Sequence, residues 1–137
     1  MLYKFLFPVY QSLGVSFILF LARVGFGTMF LTHGLQKMAN FSALSNSFPG
    51  VMGMGSKLSL CMAIFAEVFC TLGFITGFLY RLSMIPMIVT MIVAVFTIHA
   101  NDPLATKELA ILYLMIFIIM YIAGPGAIAV DYYFVKR

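Results

Sequence analysis

The residues able to do chemistry are few and far apart. Arg23, His33 and Lys37 fall in one apolar run and Glu67 in a second. His99 ends a third, and Glu108 and Tyr113 belong to a fourth. Imidazole, carboxylate and phenol groups can move protons or hold a polar head group. An arginine and a glutamate inside apolar runs are expected to find one another, because a lone charge at mid-bilayer costs on the order of 2.5–3.5 kcal/mol. The sequence has no Ser/His/Asp triad, P-loop, Cys-x-x-Cys or His-Glu-x-x-His, so it shows no self-contained catalytic machinery. Two histidines fall short of a zinc ligand set, and no metal is expected. Haem held between His33 and His99 is a minor variant. Gly25-x-Gly27 lacks the strand and third glycine of a nucleotide fingerprint.

The elements that position these groups follow from composition. Of 137 residues, 64% are hydrophobic and 9% charged, and the mean hydropathy is +1.10. Ordinary soluble domains are roughly 45–50% apolar, and a chain this short could not hide so large an excess from water, so lipid is the expected solvent. The net charge of +4 is scattered between apolar runs with no basic patch, which excludes nucleic acid as a partner. Cys61 and Cys70, nine helical residues apart, would lie about 13 Å from each other, too far for a bridge. The run that begins near Leu13 continues past Arg23 without a small-x-small cleavage site, so it reads as a retained first span rather than a signal peptide.

The expected fold is all-α, a polytopic integral membrane four-helix bundle forming a single domain over 1–137. Its helices are placed at about 13–37, 58–80, 82–100 and 107–123, with Pro86 bending the third. A short interfacial helix at about 40–48 follows from Phe41, Leu44 and Phe48 at helical spacing behind Asn40. The ends, "MLYKFLFPVY" and "DYYFVKR", read as interfacial anchors. Four spans put both termini on one side with Lys4, Arg81, Lys136 and Arg137, against Lys37, Lys57 and Lys107 on the other. The positive-inside rule then favours cytoplasmic termini by one residue.

At 100° per residue, Ser12, Ser16, Arg23, Gly27, Phe30, Gly34 and Lys37 fall on one stripe of the first helix, with His33 at its edge. Ser56, Ala63, Glu67, Thr71 and Phe74 form a matching stripe on the second. Small and polar residues on one face mark it as turned toward other helices. Arg23 and Glu67 both fall near mid-span on antiparallel helices, so an Arg23–Glu67 intramembrane ion pair is expected. His33, Lys37, His99, Glu108 and Tyr113 gather at the helix ends away from the termini, as a candidate polar pocket with that ion pair as its floor. A purely structural staple is about as good a reading of the pair as a functional charge.

The order Arg23, His33-Gly34-x-x-Lys37, Glu67, Gly77-x-x-x-Arg81, His99, Glu108 before "LAILYL", and Gly124-Pro125-Gly126 with Asp131 resembles the DoxX family over roughly Leu19 to Asp131. One departure is Ala127 and "IAVD" where the family often carries a basic residue and Ser-Leu-Asp; no anion contact is carried over to that corner. The resemblance implies a four-helix protein of the prokaryotic cytoplasmic membrane linked to membrane redox work. One archaeal branch is a subunit of a thiosulfate:quinone oxidoreductase, and other members associate with oxidant-defence proteins.

Three functions are therefore weighed. The first is a membrane subunit or partner of a quinone-linked redox system, with His33, His99, Glu108 and Tyr113 contacting a quinone head and Arg23 and Glu67 relaying or tuning charge. The second is a non-enzymatic scaffold docking a partner through its outer loop. The third is a small transporter. Candidate partners are the lipid bilayer, a soluble or membrane redox protein, and a second copy of the chain.

Overall fold

The computed structural model describes residues 12–135. Four helices are long and apolar enough to cross a membrane: α1 (Leu13–Ala39), α3 (Ser56–Thr76), α4 (Tyr80–Ile98) and α5 (Leu104–Ala123). Two short helices complete the set, α2 (Phe41–Leu44) and α6 (Val130–Val135). No strand occurs among the described residues. The all-α bundle expected from the sequence is the observed architecture. The N-terminal anchor segment, and Lys4, Lys136 and Arg137 of the charge count, lie outside the described residues.

The bundle is inside-out relative to a soluble domain. Its exposed surface carries Phe17, Ile18, Leu21, Phe65, Phe69, Ile119 and Ile122, each more than half exposed, while Arg23, Glu67, Thr71, Asp131 and Ser16 are buried. A contiguous apolar exterior around a charged interior is stable only with acyl chains as solvent.

Glycines set the register of α1 against α3. A Cβ on Gly34 would come within 2.7 Å of both Glu67 and Val68, and one on Gly27 would meet Phe74 and Ile75. The two backbones are therefore in close antiparallel contact along most of their length. Phe30 crosses to α5 through ring contacts with Tyr113 at 5.1 Å and Phe117 at 4.9 Å. Met84, Met87, Phe74 and Tyr80 fill the rest of the core, methionine serving where the gap is irregular.

The second helix ends earlier than expected, at Thr76 rather than near residue 80. Gly77 takes a left-handed φ of 71°, and the Phe78 amide donates back to the Gly73 carbonyl at 2.9 Å, the closure of a glycine-stopped helix. The third helix starts at Tyr80 and its regular part gives way to a π segment, Ala94–Ile98, before His99. The interfacial helix expected over about 40–48 is confined to Phe41–Leu44. Turns follow from Ser45, and Leu44 and Phe48 pack against Leu60, Ile64 and Val68 instead of lying free on a surface.

Candidate functional site

The charges divide into two clusters at opposite ends of the bundle. Neither contains the expected Arg23–Glu67 pair. Gly34, not Arg23, lies opposite Glu67. Arg23 precedes Gly34 by about three helical turns, roughly 16 Å along the axis. Span midpoints located both charges at one depth; the glycine contacts place them in different layers.

At the end near the C-terminal tail, Arg23 is fully buried and its guanidinium donates to two backbone carbonyls. One bond goes from Nη1 to Ile75 O at 3.2 Å, the other from Nη2 to Ile128 O. Ile75 belongs to the last turn of α3, where carbonyls have no helical partner and the helix dipole is negative. Across the corner the Asp131 carboxylate accepts from the amides of Leu79 at 2.8 Å and Tyr80 at 2.9 Å, the open N-terminus of α4. The positive side chain thus meets the negative end of one helix and the negative side chain the positive end of the next. Gly77 permits the approach, since a Cβ there would strike Arg23 Nη1 and lie 2.6 Å from the Ala129 Cβ. Ser16 accepts from the Ala127 amide at 2.9 Å and closes the Gly124-Pro125-Gly126 segment over α1. Arg23, Gly77, Asp131 and the Gly124-Pro125-Gly126 segment thus all serve to hold this end together.

The other end holds a cavity of about 530 Å³ bordered by all four spanning helices and the loop after α2. That is the size range of small-molecule sites. The titratable groups on its wall are His33 and Lys37 from α1, Glu67 from α3, His99 after α4, and Tyr113 from α5. Glu67 is 3% exposed, and its Oε2 accepts from Lys37 Nζ at 2.5 Å. Lys37 is on the same stripe as Arg23 and Gly34, so the pattern contains the true partner, and mid-span depth alone does not select it. The Tyr113 ring lies edge-on to His33 at 6.0 Å. Its hydroxyl is buried without a hydrogen-bond partner among the described residues. His99 Nδ1 and Asp102 Oδ2 are 2.7 Å apart, an arrangement that orients the ring. Glu108, expected in the pocket, does not line it: it faces outward on the first turns of α5 and is exposed.

Two features were not foreseen. Phe65–Cys70 of α3 and Ala94–Ile98 of α4 are π-helical, and both contribute to the cavity wall. In the first, the Thr71 hydroxyl donates to the Ala66 carbonyl at 3.2 Å. A π turn admits an extra residue and widens the helix, and such turns recur at functional sites. Here one of them carries Glu67. Second, the loop residues Phe48, Pro49, Val51 and Met52 cover the mouth, tied down by the Val51 amide donating to Ser59 Oγ at 3.0 Å. No spacing rule marks a π turn in advance.

A DoxX family model matches residues 18–100. The chain belongs to the DoxX family. The match covers more than half of its length, from α1 to the histidine after α4, and includes four of the five titratable groups of this DoxX cavity. With four apolar spans and that membership, it is a multi-pass membrane protein. No curated protein and no solved structure matches the chain.

Proposed function

We propose that this DoxX protein is a membrane subunit or partner of a quinone-linked redox system, and that the cavity seats the quinone head. The observation that carries this reading is the Tyr113 hydroxyl: a phenol 95% buried, unpartnered, on the wall of an apolar cavity that also holds a buried carboxylate–ammonium pair. A buried donor is costly to leave unsatisfied, and a quinone carbonyl oxygen is an acceptor of the right kind. Reduction of a quinone to a quinol takes two electrons and two protons. The electrons come from the partner protein. Protons are the local task, and His33, Lys37, Glu67 and Tyr113 are exchangeable groups on the cavity wall, with the His99–Asp102 couple at the mouth.

A dead-ended seat fits better than a conduit, because Phe30, Phe74, Phe117, Met84 and Met87, each at most 1% exposed, fill the space between the two clusters. The charge count of the sequence supports cytoplasmic termini, which would turn the cavity mouth to the outer side of a prokaryotic cytoplasmic membrane. The test is binding. The protein purified in mild detergent should retain extractable quinone or take up added quinone, and Tyr113→Phe should weaken uptake about five- to tenfold, the worth of roughly one hydrogen bond. Full-strength binding by Tyr113→Phe, or none by the native chain, overturns the assignment.

A further inference from the structure

A second hollow of about 650 Å³ runs along the outer seam of α3 and α4, lined by Phe69, Leu72, Thr76, Leu82 and Ile85 among others. It lies on the acyl-chain side of the bundle, since Phe69, Leu72, Leu82 and Ile85 are all exposed. Phe65 and Pro86 border this hollow and also border the cavity. The two spaces therefore share a boundary, with Phe65 from the start of the π turn and the pyrrolidine ring of Pro86 in the wall of both. Phe65 is 51% exposed, and its ring stacks on Phe69 at 6.2 Å along the same outer face.

The polarity of the combined space changes along its length. The ionic pair and the unpartnered phenol lie at the cavity end, whereas among the described residues none that lines the outer hollow is charged. Such a shape matches one kind of molecule: a small polar head carrying a single apolar chain. We infer that ligands enter this protein sideways from the bilayer, head first between Phe65 and Pro86, and that the chain of the bound ligand then lies in the α3–α4 seam. This rests on the reading of the cavity as a ligand site and adds the route and the ligand class, a membrane-dissolved amphiphile. Water-soluble ligands would have to use the loop side, where Phe48, Pro49 and Met52 stand over the mouth.

Burying the chain in the seam gains little over leaving it among lipid tails, because both are apolar. The seam's role is therefore steric: it gives the chain somewhere to go while the head is seated. Blocking it should penalise tailed ligands alone. The test uses the full chain in nanodiscs with two probes, a 1,4-naphthoquinone bearing a polyisoprenyl tail and tail-less 2-methyl-1,4-naphthoquinone, with affinity expressed per lipid. Leu82→Trp and Ile85→Trp each fill the seam from its exposed side without touching the cavity, and two variants guard against one failing to fold. Each should weaken the tailed probe at least fivefold and the tail-less probe less than twofold. Equal retention of both probes overturns the lateral route while leaving the cavity reading intact. Loss of both to the same degree also overturns the route. If neither probe binds the native chain, the cavity reading falls and the route with it.

Discussion

Removing the lysine of the buried pair should cost more than removing its carboxylate. Glu67 is almost wholly enclosed, its side chain 4% exposed, whereas the Lys37 side chain is 26% exposed. Lys37→Met leaves an uncompensated carboxylate in an apolar wall. Breaking a buried pair this way costs about 3–5 kcal/mol, and the partial exposure of the lysine points to the lower end, about 3 kcal/mol. Glu67→Gln leaves an ammonium that can reach toward the interface on its flexible stem, so about 1 kcal/mol is expected. The double variant should recover much of the loss, with a coupling energy above about 1.5 kcal/mol. The same cycle on Arg23 and Glu67 should be additive within about 0.5 kcal/mol, since the two are several layers apart. Reversible unfolding in mixed micelles, followed by far-UV circular dichroism, reads all four quantities. Equal costs for the two single variants, or strong coupling between Arg23 and Glu67, would refute the assignment of partners.

The opposite corner gives three further expectations. Arg23→Met strands the Ile75 and Ile128 carbonyls and should lower stability by about 2–3 kcal/mol, seen as a depressed Tm; Arg23→Lys, a point donor in place of a fork, should recover only part of it. Gly77→Ala combines a φ of 71° with a Cβ directed at Arg23 and Ala129, so yield of monodisperse protein after detergent extraction should fall sharply, while Gly25→Ala, at a helical position of α1 with open space around it, should be mild. Asp131→Ala uncaps α4 and should cost about 1–2 kcal/mol with no change in quinone binding; an equal loss of binding would tie the corner to the cavity.

Helix number, burial of the charges and the inward stripe of α1 were legible because they follow from hydropathy and a period of 3.6 residues. Which charge meets which was not. Pairing depends on axial register, and register is set here by where Gly27 and Gly34 admit the α3 backbone, a detail that no single-helix pattern contains. The roles of Gly77 and Asp131 were legible as motif positions but not as chemistry. Asp131 acts on amides 51 and 52 residues earlier in the chain, and contacts of that range leave no local trace. Glu108 fails for the reverse reason: nearness to the mouth in sequence is not nearness in space, and the first turns of α5 present it outward.

Arg23 belongs to the earliest-made of the four spanning helices, yet one of its two acceptors, Ile128, comes 105 residues later. At about 5–20 residues per second, the ribosome takes roughly 5–20 seconds to supply that carbonyl. Throughout that interval the newborn first helix holds a guanidinium with half of its final coordination at best. A nascent chain arrested shortly before residue 128 would contain all four spanning helices and still leave one of the two acceptors of this buried guanidinium unmade, so a segment beyond the fourth span completes the seating of the first.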